Sequence, residues 1–218
     1  MDLRRNSILG IQNDVLTPMA EILVDRALDE RRAAYADEVR RLIDAAYAVM
    51  RGTGDIDPRV GDVVRTAGLS NQAFYRHFKS KDELLLAVLT DGQHLLLATL
   101  QTRIARVEAG APQVAAWIEG VMAQARNADA AENTRPFAIN GARIADRFPA
   151  EWSASREALM APLREAVAVA GGDPDRDGDA IYHLTFGEME DALKRRVHPS
   201  REDVDHLVHF ALRGAGIG

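Results

Sequence analysis

No cysteine occurs in the 218 residues. This excludes disulfides, a thiolate nucleophile and any cysteine-ligated metal. Strand signals are scarce: β-branched residues are sparse and few segments alternate apolar with polar side chains. The longest purely apolar run is Leu84–Leu89, far short of the roughly 20 residues a membrane-spanning helix needs. Asp2, Arg4, Arg5 and Asp14 stand at the start with no apolar stretch of the signal-peptide kind. The expectation is a cytoplasmic protein with no membrane partner. The chain lacks a phosphate-binding glycine loop and a Gly-x-Ser-x-Gly elbow. It also lacks any Glu-x-x-His pair, which a helical di-metal carboxylate site would require. His206 and His209 with Asp203 and Asp205, and His183 with Glu188 and Glu190, therefore read as solvated helix faces. No enzyme, metal or cofactor is expected.

What is present is helix-forming sequence punctuated by proline and glycine. Thr17-Pro18, Asp57-Pro58 and Asp173-Pro174 each place a side-chain acceptor before proline, the pattern of an N-cap followed by the first helical residue. Ser80–Glu83 has capping-box spacing, and Ser200–Asp203 approximates it. Apolar periodicity predicts a helix over 32–51, with Tyr35, Val39, Leu42, Ile43, Ala46, Tyr47 and Met50 on one face. Short helices follow at 58–66 and 70–78, then longer ones at 81–107, 112–128, 136–147, 150–170, 174–197 and 201–213. A further helix is expected to start near Pro18, behind a poorly structured opening. Pro162 is expected to kink or split its helix, and 127–134 to form a loop. The fold class is all-α. The domain reading is an N-terminal extension over 1–31, a helix-turn-helix domain over 32–82 and a larger helical domain over 83–218.

The net charge is −6, which argues against uniform coating of nucleic acid. The distribution is uneven. Residues 31–81 carry ten Lys/Arg against six Asp/Glu, whereas 1–30 carry three against six and 82–218 carry 14 against 21. The one basic segment coincides with the pattern V-G-D-V-V-R-T-A-G-L-S-N-Q-A-F-Y-R-H-F-K-S-K over 60–81. Two short helical stretches there flank an Ala67-Gly68-Leu69 turn, the layout of a helix-turn-helix whose second helix enters the DNA major groove. Glycine suits the reversal because it takes a left-handed conformation without steric cost. Ser70 should cap the second helix. Phe74 and Phe78 share a face and should bury against Leu42, Val63 and Val64. Gln72 and Arg76 point the opposite way, with Asn71 and Tyr75 on one flank and Ala73 and His77 on the other. Asn and Gln suit adenine edges, Arg suits guanine, and an alanine methyl can meet a thymine methyl. Tyr75, Lys79 and Lys81 better suit phosphates.

The stretch Leu42–Leu89 resembles the N-terminal domain of the TetR family of transcriptional regulators. The resemblance rests on Ile43-Asp44-Ala45-Ala46 followed by Gly54, on Val60-Gly61-Asp62-Val63, on the Ala67–Ser70 turn, on Tyr75 and Phe78, and on Ser80–Leu84. It implies a dimeric, all-helical, ligand-released repressor acting on a palindromic operator. The alternatives are an activator of the same fold, or a helical small-molecule carrier that does not bind DNA. Carried over residue by residue, DNA contacts fall on Arg59, Asn71, Gln72, Ala73, Tyr75, Arg76, His77 and Lys81. Gly61 stands where many relatives carry a polar side chain, and Gln72 where a small residue or proline is common.

The resemblance also implies that the remaining helices serve dimerisation and a ligand cavity. Val204, Leu207, Val208, Ala211 and Leu212 form a stripe at helical spacing, and the preceding helix offers Tyr182, Phe186, Met189, Leu193 and Val197. Met189, Leu193, Val204, Leu207, Val208 and Ala211 are the expected dimer residues. Two recognition helices reading two half-sites also call for a homodimer. Trp117, Val121, Phe137, Asn140, Arg143, Trp152, Tyr182 and Phe186 are the expected lining of a site for a hydrophobic effector.

Overall fold

The computed structural model describes residues 18–217, and the residues before Pro18, with the reading of them as poorly structured, lie outside these. Among the described residues there are ten helices in the order α1 (Pro18–Thr53), α2 (Val60–Ala67), α3 (Asn71–His77), α4 (Lys81–Ile104), α5 (Ala111–Arg126), α6 (Ala128–Ile139), α7 (Gly141–Arg147), α8 (Pro149–Val169), α9 (Arg176–Arg195) and α10 (Arg201–Gly214). The all-α expectation holds. The chain divides into two compact units, one ending at Arg40 and one spanning Arg41–Gly218.

The first unit is the N-terminal part of α1. Its apolar side chains face solvent, including Met19, Ile22, Leu23 and Leu28, and it carries i,i+4 and i,i+3 ion pairs from Arg26 to Glu30 and from Asp29 to Arg32. The helix predicted from 32 thus starts at Pro18, and Tyr35 is exposed rather than buried.

In the second unit α5 is the central helix, packed against α4, α6, α8, α9 and α10. The sequence explains this position. Among Ala111–Arg126 only Glu119 and Arg126 are charged, and a helix that is apolar all round must be buried all round. Val114, Trp117, Ile118, Val121 and Ala125 lose all their solvent exposure, each large aliphatic contributing about 1.5–3 kcal/mol. Gly120 permits close approach of α4, since a Cβ there would sit 2.5 Å from Leu100 Cδ2. α4 is the one described helix long and apolar enough to cross a bilayer by length and composition, and Leu84, Leu85, Val88 and Leu100 bury one of its faces in the core.

Between α5 and α8 the helices abut without loops. Asn127 ends α5 and caps α6, its side chain accepting from Ala130 N at 3.1 Å. The expected loop over 127–134 is therefore helix. Asn140 closes α6 and opens α7, so the predicted 136–147 helix is broken there, and Phe148 plays the same part between α7 and α8. Pro162 does not split α8, which runs through it. Of the predicted caps, Ser200 and Asp203 form a full capping box and Ser80 caps α4. Asp57 does not cap α2; the helix starts two residues later behind Arg59, while Ile56 and Pro58 are buried.

Candidate nucleic-acid interface

The helix-turn-helix is set by a few contacts. Gly68 lies at φ 64°, ψ 35°, the left-handed conformation that lets the chain reverse, and Leu69 N donates to Val64 O at 2.9 Å to close the end of α2. Arg41, from α1, clamps the turn from below. Its Nη2 donates to Ala67 O at 2.6 Å and to Gly68 O at 3.2 Å, and its Nε donates to Ala67 O at 3.1 Å. Sequence reasoning missed this role. The signal was a single arginine beside Leu42, indistinguishable by pattern from any charge on a solvated face.

Ser70 caps α3 as expected, its Oγ accepting from Ala73 N at 3.1 Å. Phe74 is fully buried and Phe78 nearly so, their ring centroids 5.7 Å apart, and Leu42, Val63 and Val64 are buried as well. With that face pinned, Asn71, Gln72, Tyr75 and Arg76 are exposed, and His77 is half-buried. Ala73 departs from the expectation: at 6% exposure it packs inward, so its methyl is taken up by the core and does not front a groove. The error was angular, since an alanine flanking the Phe74 edge is close enough to be covered. Arg59 is exposed at the N-cap of α2, where its carbonyl accepts from Asp62 N and Val63 N. Lys81, opening α4, pairs through Nζ with Asp57 Oδ1 at 2.9 Å, both groups remaining about 40% accessible. Gly61 is exposed and projects no side chain.

The effector residues do not gather at one place. Trp117, Tyr182 and Phe186 form an aromatic cluster between α5 and α9. Tyr182 stacks on Phe186 at 4.4 Å, and each ring lies 6.1 Å from Trp117, whose Nε1 donates to Leu159 O at 3.0 Å. Arg156, which sequence reasoning passed over, lies 5.2 Å above the Tyr182 ring and donates to Asp179 Oδ1 at 3.3 Å. Burial, ahead of the opposing pull of Arg156 and the push of Glu190, raises the Tyr182 phenol to about 12. Val121 is fully buried on α5. A second group borders the helix-turn-helix instead. Phe137 meets Tyr47 edge-on at 6.0 Å; Asn140 Nδ2 donates to Pro136 O at 2.8 Å and reaches Gly54 O at 3.5 Å. Arg143 donates to Asn140 Oδ1 at 2.8 Å and to Asp55 Oδ1 at 3.1 Å. Slight burial would raise the Asp55 carboxyl, but the Arg143 hydrogen bond, the N–H groups of Asp57 and Ile56 and the arginine charge hold it below the usual range. Arg147 pairs with Asp82 across the same border. Trp152 stands apart, 37% exposed on α8.

The expected dimer residues are a clear correction. Met189, Leu193, Val204, Leu207, Val208 and Ala211 are each at most 8% exposed within a single chain and belong to its own core. An amphipathic stripe reports burial but not which surface does the burying; here α5, α6 and α8 supply it for α9, with α5 and α9 covering α10.

Residues 42–88 match the family described as bacterial regulatory proteins, tetR family. A 67-residue stretch is 43% identical to the HTH-type transcriptional regulator SrpR of Pseudomonas putida and, over the same length, 43% identical to the uncharacterized HTH-type transcriptional regulator TtgW of that species. Each match covers 30% of this chain, and 32% and 50% of the respective relatives, so the chain spans at most half the length of these relatives. Among solved structures, TetR-family regulators from Streptomyces coelicolor (TM-score 0.67, 21% identity, covering 83% of this chain and 96% of that one) and Streptomyces avermitilis (TM-score 0.67, 22% identity, covering 83% and 99%) share the fold. Residues 42–88 are thus similar in sequence to the DNA-binding segment of tetR-family regulatory proteins, and the chain as a whole shares the fold of solved members of that family.

Proposed function

We propose that this protein is a cytoplasmic DNA-binding transcriptional regulator that represses as a homodimer on a roughly palindromic operator and is released by a small-molecule effector. In this reading 32–82 binds DNA and 83–218 holds the effector and the partner subunit. The observation that carries it is the state of α3: Phe74 and Phe78 fix one face in the core while Asn71, Gln72, Tyr75 and Arg76 stand exposed on the other. Bidentate side chains on a rigid helix are what direct base reading needs. Gln72 and Arg76 read bases. Tyr75, Arg59, His77 and Lys81 position the protein on phosphates, Lys81 exchanging its Asp57 partner for the backbone.

Footprinting on DNA flanking the protein's own gene tests the regulator reading against the carrier reading. Arg76→Ala should relax base preference by about 1–3 kcal/mol of discrimination. Lys81→Ala should weaken all sequences alike and reduce the salt slope by about 0.9. Equal losses on operator and random duplex for both variants would refute this division of labour.

For the dimer, the buried stripes point to the outer side of the same two helices. Phe210 is 61% exposed on α10, and Gly187 on α9 has open space around it. A second copy covering this side would form a four-helix interface. Phe210→Ser should shift the mass measured by light scattering from dimer to monomer; an unchanged mass removes Phe210 from the interface. For the effector, the Trp117–Tyr182–Phe186 cluster with Arg156 at its edge combines apolar faces with one cation. Release of the operator follows only if the effector binds the released form better. A thermal-shift screen followed by operator release identifies it.

A further inference from the structure

A cavity of about 100 Å³ lies where the end of α1 meets α6 and the end of α9. Its lining includes Arg51, Arg135, Arg196, Glu132 and the Gly52–Gly54 backbone. Three arginines against one glutamate leave two positive charges in excess around a small space. Among the described residues none of the three arginines forms an ion pair. Arg143, Arg147, Arg156, Arg164 and Arg195, by contrast, find carboxylates.

Two features single out this cluster, in which Arg51 and Arg196 are exposed and Arg135 is half-buried. The Nε of Arg135 is buried and has no acceptor in the chain. A buried cationic N–H without an acceptor is costly, and an incoming anion is its natural complement. Arg196, the C-cap of α9, lies at φ 57°, the one described non-glycine residue in the left-handed region. Glycine is the usual choice at such a position, so the arginine side chain is kept against the backbone's preference. The carbonyl end of α1 does not reverse the sign of the site. Gly54 N donates to Met50 O at 2.7 Å and Thr53 Oγ1 to Val49 O at 3.0 Å, and the partial negative charges at the ends of α1 and α9, about half an elementary charge each, are together smaller than the excess positive charge of the arginines.

We propose that this cavity binds a small oxyanion, a phosphate or a carboxylate head, held by Arg135 with Arg51 and Arg196. Arginine's planar fork presents paired N–H groups that match either head. The site lies outside both the α3 face and the aromatic cluster, so it stands or falls independently of operator and effector binding.

Calorimetric titration of the full chain with inorganic phosphate, and separately with acetate, at constant ionic strength in chloride tests the proposal. The expected result is one saturable site per chain in the wild type. Tighter phosphate binding would identify a tetrahedral head, tighter acetate binding a carboxylate. Arg135→Gln should weaken binding about tenfold or more, the loss of a charge-assisted hydrogen bond, and Arg135→Lys should fall between. Arg76→Ala should titrate like the wild type, since the recognition face lies elsewhere. Arg196→Gly should raise the melting temperature without phosphate, by relieving the left-handed residue, yet shrink the further rise that phosphate brings. No saturable binding, an Arg135→Gln or Arg135→Lys titration equal to the wild type, or a loss that tracks Arg76→Ala would overturn the assignment.

Discussion

Gly68→Ala tests whether the helix-turn-helix is held as described. The residue lies at φ 64°, ψ 35°, and forcing an L side chain into that region costs about 1–2 kcal/mol. The new Cβ would also sit 3.2 Å from Arg41 Nη2, so the guanidinium must give way. That group makes the hydrogen bonds to Ala67 O and Gly68 O, and loss of one adds about 1 kcal/mol. The expected total is about 2–3 kcal/mol, or about 4–12 °C in melting temperature for a protein of this size. Gly61→Ala provides the internal control. Gly61 is helical, exposed and has nothing within 4 Å of a built Cβ, so alanine there should stabilise by up to about 1 kcal/mol. Urea denaturation followed by circular dichroism reads both variants. The two glycines stand seven residues apart in one motif and must move stability in opposite directions. A Gly68→Ala protein as stable as the wild type, or a Gly61→Ala protein less stable, would refute the account of the turn. Adding Arg41→Met to Gly68→Ala should cost less than the two changes separately, because both disturb the same hydrogen bonds.

Three further outcomes follow from contacts elsewhere in the unit. The Tyr47 phenol donates to Val88 O at 2.9 Å and is pushed up to about 12 by burial, then by Asp91 and Asp44; Tyr182 is likewise raised to about 12 by burial. Folding favours the neutral phenol, so this contribution is intact below the unfolded value of about 10 and is lost as pH climbs through 12. Tyrosinate absorbance should rise together with alkaline unfolding, and Tyr47→Phe should remove part of the coupling. Trp117→Phe deletes the indole hydrogen bond to Leu159 O and leaves space in a fully buried site, for a loss of about 1–3 kcal/mol by urea denaturation. Arg143→Gln should let the Asp55 carboxyl return upward in an NMR titration; because Asp55 sits below its ordinary range, the bridge contributes above that range and fades as pH falls through the lowered value. Its exposure keeps the stability change within about 1 kcal/mol.

Much of the protein was decided locally and could be read from the sequence. The Ala67–Ser70 turn, the Ser70, Ser80 and Ser200 caps and the inward pairing of Phe74 with Phe78 depend on residues at most four apart. Local geometry fixes such features wherever the chain goes afterwards. The short-range code also placed Gln72 and Arg76 on the open side of α3. Tertiary structure decided what an amphipathic pattern leaves open, namely which neighbour covers each stripe. The α9 and α10 stripes are covered within the chain, by α5, α6 and α8 for α9 and by α5 and α9 for α10, while Phe210 is left exposed. The eight expected effector residues separate because Asn127 and Asn140 join helices end to end, carrying Phe137, Asn140 and Arg143 to the border with Gly54 and Asp55 and away from Trp117. Arg41 under the turn and the arginines around Glu132 are long-range meetings between residues far apart in the chain. No periodicity encodes such contacts; they exist only once the helices have packed.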